Sequence, residues 1–128
     1  MTDSHIKFVV IGRPSDTKIL GAEAPTSIKK TLKQEYTESA QDILDQLGQS
    51  SPYPDLRDDQ ETIYGSWYTY CDHNILSYSV LTSNSYKKTI AYDLLRKLSK
   101  NLYETYPEMQ DKYSEVPILD IKEIVENV

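Results

Sequence analysis

The chain predicts an α+β domain in which a small antiparallel sheet is covered on both faces by helices. Three observations carry this expectation. First, the segment Thr62–Pro107 (TIYGSWYTYCDHNILSYSVLTSNSYKKTIAYDLLRKLSKNLYETYP) changes its hydrophobic period part-way along. The period is about 2 through Leu81, as in a strand, and about 3.6 after Tyr86, as in a helix. Second, the whole chain orders itself β-β-α-β-β-(β)-α-α. Third, the connections between successive strands are too short for a crossover, so each hairpin pairs antiparallel. Three helices then have to cover the two faces of one sheet.

Taken in order, Ile6–Ile11 (IKFVVI) is β-branched and aromatic and is broken by Gly12. It predicts a central strand covered on both faces. Arg13-Pro14-Ser15-Asp16 is turn chemistry, and Lys18–Ala24 is a second, shorter strand ended by Pro25. Thr26 or Ser27 is placed to cap a helix over about Ser27–Leu47, with Gly48 as its C-terminal glycine. Its apolar stripe is Ile28, Leu32, Tyr36, Ala40, Ile43, Leu44 and Leu47. Lysines crowd its first half, and Glu35, Glu38, Asp42 and Asp45 its second. That sense opposes the helix dipole and costs roughly 0.3–1 kcal/mol per exposed charge near an end. Packing of the stripe must hold the helix in place.

Gln49–Gln60 (QSSPYPDLRDDQ) is expected to be the longest loop. Ile63 and Tyr64 begin the next strand, and Gly65-Ser66 interrupts it as a bulge or short turn. Beyond it, Trp67, Thr69 and Cys71 share one face, and Tyr68 and Tyr70 the other. Asp72-His73-Asn74 turns the chain into Ile75–Thr82, with Leu76, Tyr78 and Val80 on one face. Ser83 or Ser85 caps a second long helix whose stripe is Ile90, Ala91, Leu94, Leu95, Leu98, Leu102 and Tyr106, and Pro107 stops it. Pro117 stands at the first position of a short last helix carrying Ile118, Ile121, Ile124, Val125 and Val128.

With 128 residues, 38% hydrophobic and 27% charged, the chain suits one domain over residues 1–128. It has no apolar run near the roughly 18 residues that span a bilayer. The start, MTDSHIKFVV, has neither the basic residues nor the length of a secretory signal. A single cysteine excludes an intrachain disulfide and suits a reducing, cytosolic setting. The net charge of −6 argues against broad binding to nucleic acid or anionic membrane, although Lys29, Lys30 and Lys33 form a local basic group.

The residues offer little chemistry. Cys71 and Asp72 are strand neighbours that point apart, and His73 lies in the turn, so a catalytic Cys–His pair is not expected. One Cys with two His cannot make a standard zinc site. Asp55, Asp58, Asp59 and Glu61 surround Arg57 without the calcium-loop pattern. The glycines fall in no phosphate-cradling motif. We therefore expect no catalytic residues, metal or cofactor. The eleven tyrosines, against one Phe, favour sheet packing or a protein-binding surface. Nucleic-acid stacking would need a basic groove, and these strands have no Lys or Arg between Arg57 and Lys87.

The junction Ser83-Asn84-Ser85-Tyr86-Lys87-Lys88-Thr89-Ile90-Ala91-Tyr92-Asp93-Leu94-Leu95 resembles longin domains, the N-terminal heads of one class of vesicle-fusion SNARE proteins. Tyr86, Lys87, Lys88, Ala91, Tyr92, Leu94 and Leu95 match the family's spelling. Upstream, IYGSWYTYCDHNILSYSVLT and the opening IKFVVIGRPSD-KILGAEA are similar to its two hairpins. Lys87 stands where many members have proline. Longin SNAREs continue into a heptad-repeat coil and a membrane anchor, and neither is read in these 128 residues. The resemblance implies a profilin-like longin fold: five antiparallel strands between one helix (about Ser27–Leu47) and two (about Lys87–Tyr106 and Ile118–Asn127). It further implies a non-enzymatic interaction domain of vesicle trafficking on the cytosolic face of secretory or endosomal membranes. Such a domain regulates SNARE assembly or sorting. The expected partners are its own or another SNARE motif, or a coat or tethering protein, held in a groove between the first helix and the Ile63–Trp67 region. Ile28, Leu32, Tyr36, Ile63, Tyr64 and Trp67 are the expected partner-binding residues. The alternative is a small subunit of a vesicle coat or tethering complex with a related fold.

Overall fold

A computed structural model describes residues 5–110 and 119–128. Five strands, β1 (Ile6–Arg13), β2 (Lys18–Glu23), β3 (Arg57–Thr62), β4 (Gly65–Cys71) and β5 (Ser77–Thr82), form one sheet in the order β2-β1-β5-β4-β3. Every neighbouring pair is antiparallel. Helix α1 (Lys30–Gln49) covers one face; α2 (Lys88–Thr105), a 3₁₀ turn at Pro107–Gln110 and α3 (Lys122–Glu126) cover the other. The α+β expectation holds, and the arrangement is compatible with a profilin-like longin fold. Pro117 and Ile118 lie outside the described residues.

The two faces sort the side chains as the strand period requires. Trp67, Cys71 and Leu81 join Tyr36, Ala40, Ile43 and Leu47 under α1. Tyr68, Tyr70, Leu76, Tyr78 and Val80 join Ala91, Leu95, Leu98 and Leu102 under α2. Each fully buried leucine of that stripe contributes about 1.5–3 kcal/mol before entropy is charged. The α2 stripe is rotated from the expected one. Ile90 is exposed and Leu94 half-buried, while Tyr92, Ser99 and Tyr103 are buried.

Two bulges redirect the central strands. Ile6 pairs with Thr82 but Phe8 with Leu81, so Lys7 is an extra residue in β1. Without it Ile6 and Phe8 would share a face; with it Ile6 faces α2 and Phe8 faces α1. On the other side of β1, Ile11 pairs with Gly21 and Gly12 with Ile19, which leaves Leu20 unpaired in β2. The free Leu20 carbonyl accepts the Leu119 amide at 2.6 Å, and Ile121 packs over Gly21. The C-terminal segment thus docks on the bulged strand, burying Ile121, Ile124 and Val125.

Several local expectations are corrected. No side chain caps either long helix; Lys29 and Lys87 occupy the N-cap positions. Gly48 is inside α1, not beyond it. A Cβ there would lie 2.6 Å from the Thr17 methyl and 3.0 Å from the Pro14 carbonyl, so close packing on the β1–β2 turn explains it. The 49–60 loop is shorter than expected because Arg57–Thr62 is a strand. Its polar run carries no apolar period, and it folds because β4 offers a free edge to pair with. Ile63 and Tyr64 are accordingly the turn between β3 and β4 and do not start a strand. Gly65 begins β4 with φ 139°, and a side chain there would collide with the Thr82 carbonyl.

Candidate functional site at the first helix and the β3 edge

Five of the six expected partner-binding residues converge. Tyr36, on the sheet-facing side of α1, packs on Phe8 with ring centroids 5.8 Å apart. It meets the edge of Tyr64 at 5.6 Å. Ile28, Leu32 and Tyr64 lie half-buried against the same cluster, and Trp67 is buried at its centre. The Trp67 indole N–H donates to Ser39 Oγ at 3.0 Å, which satisfies the ring's one polar group. Ile63 stands apart: it is 92% exposed at the tip of the β3–β4 turn. The turn is held by Lys7, whose Nζ donates to the Tyr64 carbonyl at 2.5 Å. Trp67 is 1% exposed, so it supports the wall of a groove and does not line an open one.

The open space lies nearer the C-terminal half of α1. A depression of about 340 Å³ is lined by Ile43, Gln46, Leu47, Ser50, Tyr53 and Leu56 with the start of β3. Tyr53 is 62% exposed there. Leu56 is half-buried, and its carbonyl accepts the Cys71 amide at 3.0 Å. Tyr53 and Leu56 were not expected as site residues. Their only sequence signal was an aromatic between Pro52 and Pro54 in a polar loop. Residues 57–61 of β3 are all exposed, and its outer edge is the sheet edge.

On the α2 side of β3 a second cleft, about 400 Å³, is lined by Arg57, Asp58, Asp59, Lys88, Thr89, Tyr92 and Arg96. The Arg57 guanidinium lies 5.5 Å and the Lys88 ammonium 5.9 Å from the Tyr92 ring centre. Lys88 also pairs with Asp59 at 3.3 Å. Burial, then the charges of Asp59 and Asp58, push the Tyr92 hydroxyl up to about 12.

The most concentrated polar chemistry is internal. Asp72 is 1% exposed, and its Oδ2 accepts from Tyr78 at 2.7 Å, from Ser99 at 3.3 Å and from Tyr103. Its Oδ1 accepts the Asn74 and Leu76 amides at 2.9 and 3.0 Å. Asn74 extends the network to Tyr103 and to the Met109 and Gln110 carbonyls. Burial and then the Asp72 charge push Tyr78 well above the usual phenol range. Burial and then the hydrogen bond to Asp72 push Tyr103 up. Every acceptor position is taken by the protein itself, so the network ties the β4–β5 turn to α2.

Cys71 and His73 are not brought together. Cys71 is buried on the α1 side, and burial, followed by the Asp72 charge, pushes its thiol up to about 12. The His73 ring lies against Tyr103 on the other side, with centroids 5.3 Å apart. Among the described residues no group of three or more His, Cys, Asp or Glu is placed to hold a metal ion. No helix among them is long and apolar enough to cross a membrane.

Fold and site together define a small α+β domain with a filled aromatic seam under α1 and an open sheet edge beside it. The chain matches no protein-family model and no curated protein.

Proposed function

We propose that the chain is a non-enzymatic interaction domain of vesicle trafficking. On this reading it binds a SNARE motif, or a coat or tethering partner, along α1 and the edge of β3 at the cytosolic face of a membrane. The observation that supports this most is the juxtaposition of the 340 Å³ depression with the β3 edge, which is unpaired among the described residues. Tyr53 and Leu56 offer apolar surface there, and β3 offers free backbone donors and acceptors to an extended segment. Ile28, Leu32, Tyr36 and Tyr64 continue the same seam toward the other end of α1. Recognition also fits a buried thiol held neutral and a histidine turned away from it.

The test is titration of the isotopically labelled chain with a peptide carrying a SNARE heptad-repeat motif, followed by amide shifts. Shifts should concentrate on α1 and on residues 53–67. Shifts that avoid both regions, or no shifts at all, would overturn the assignment. Tyr53→Ser should weaken the interaction while leaving the unfolding midpoint unchanged, because Tyr53 is 62% exposed.

A further inference from the structure

The topology gathers at one end of the molecule what the sequence disperses. Ile6 pairs with Thr82, Thr82 with Ser66, and Gly65 with Thr62, so the start of β1, the end of β5 and the β3–β4 turn share that end. Helix α1 starts there, since Tyr36 meets Tyr64, and runs to the far end, where Gly48 packs on Thr17. Helix α2 starts there too, leaving β5 through Ser83–Lys87, and runs to Ser99 and Tyr103 at Asp72. Six lysines therefore meet at this end: Lys7, Lys29, Lys30, Lys33, Lys87 and Lys88.

All but Lys7 are exposed. Lys7 is held by the Tyr64 carbonyl and Lys88 by Asp59, while Lys29, Lys30, Lys33 and Lys87 make no ion pair among the described residues. Among the described residues the carboxylates at this end are Glu23, Glu61 and Asp59, the last paired with Lys88, with Glu35 further along α1. Far from it lie Asp16, Asp42, Asp45, Asp55, Glu104 and Glu108. Among the described residues the charge is thus polarised, with the positive ends of both helix dipoles on the lysine side. Among the described residues the same end shows two of the three exposed large apolar side chains, Ile63 at 92% and Ile90 at 49%.

We infer that this end docks on an anionic lipid bilayer, with the lysines over the headgroups and Ile63 entering the interface. Three features favour a bilayer over an acidic polypeptide. The charges are spread over three separate parts of the chain, β1 and the starts of α1 and α2. They are lysines, hydrated point charges suited to a diffuse field, whereas of the arginines, which would fork onto a single carboxylate, Arg13 lies at the far end and Arg57 and Arg96 are turned into the cleft beside Tyr92. A lone isoleucine at a turn tip has no wall to pack against, but reaches into an interface. Docked this way, Asp16, Asp42, Asp45, Asp55, Glu104 and Glu108 face away from the membrane and the α1–β3 seam stands at the side. The inference does not depend on what that seam binds.

The test is co-sedimentation of the whole chain with phosphatidylcholine vesicles, with and without phosphatidylserine, at low and physiological salt. Binding should require phosphatidylserine and weaken with salt. Lys29→Ala/Lys30→Ala should lower partitioning about tenfold or more, since each surface lysine near an anionic leaflet contributes on the order of fivefold. Ile63→Ser should lower it severalfold. Lys97→Ala/Lys100→Ala, an equal charge change on the exposed middle of α2, should leave most of the binding. Absence of binding would overturn the inference, as would equal binding to phosphatidylcholine alone or equal loss in the two lysine pairs. Tight binding of polyglutamate without vesicles would overturn it in favour of an acidic polypeptide. Circular dichroism of each variant verifies that the fold is retained.

Discussion

At Asp72 a single carboxylate receives donors from a turn, a strand and a helix. A buried polar group is costly when left without partners, and here the Tyr78 and Tyr103 hydroxyls and two amides all depend on the same acceptor. Asp72→Ala strands these donors and should destabilise the domain by about 3 kcal/mol or more, whereas Asp72→Asn, which keeps one oxygen, should cost about half that. Urea denaturation of the two variants measures it; a cost below about 1 kcal/mol for the alanine would mean that water replaces the carboxylate. The adjacent residues were legible as a turn, because Asp and Asn favour turns. The network was not, because Ser99 and Tyr103 lie 27 and 31 residues away and no local period connects them.

Helix α1 illustrates the element scale. Its charge order opposes its own dipole, it has no acidic residue in the first turn and no basic one in the last, and no side chain caps its start. Its buried face, Tyr36, Ala40, Ile43, Leu44 and Leu47, holds it against the sheet instead. Lys29→Asp should therefore stabilise the domain by about 1 kcal/mol, seen as a rise of a few degrees in Tm, by supplying both the missing cap and a charge of the right sign. No rise would show that the start of α1 is already satisfied. The same change should weaken vesicle binding, so the unfavourable lysine has a use if the basic end is a membrane surface. The stripe of this helix was readable at its period. Its start was placed three residues early because Thr26 and Ser27 are good capping residues, yet the chain remains extended through Lys29.

Tyrosine has a part in the stability of the whole molecule, joining sheet to helices across both layers. Tyr68 meets Tyr92 edge-on at 5.7 Å, and Tyr78 and Tyr103 share Asp72. Burial raises the Tyr92 hydroxyl from 10.0 to about 12 and raises Tyr78 and Tyr103 as well. A group whose folded value lies above its unfolded one stabilises fully below the unfolded value and loses that contribution as pH rises through the folded one. Tyrosine-linked stability should thus be level up to pH 10.0 and fall toward about 12. The Cys71 thiol, raised from 9.0 to about 12, begins the decline one unit earlier. Urea midpoints across this range give the slope, and Tyr92→Phe and Tyr78→Phe should each flatten it. A midpoint that stays constant through pH 12 would contradict the assignment.

The amino-acid sequence alone determined the α+β class, the order of the elements and which strand residues share a face, because those follow from local hydrophobic periods and turn chemistry. It also supplied the seam of Ile28, Leu32, Tyr36, Tyr64 and Trp67, which share one apolar layer. Only the tertiary structure decided that Arg57–Thr62 is a strand, since its pairing with β4 supplies what its polar residues lack. It placed Ile63 on a tip, opened the depression at Tyr53 and Leu56, turned Asp72 inward and gathered the lysines of three elements at one end. All of these depend on contacts between residues far apart in the chain, and those contacts exist only once the sheet has closed.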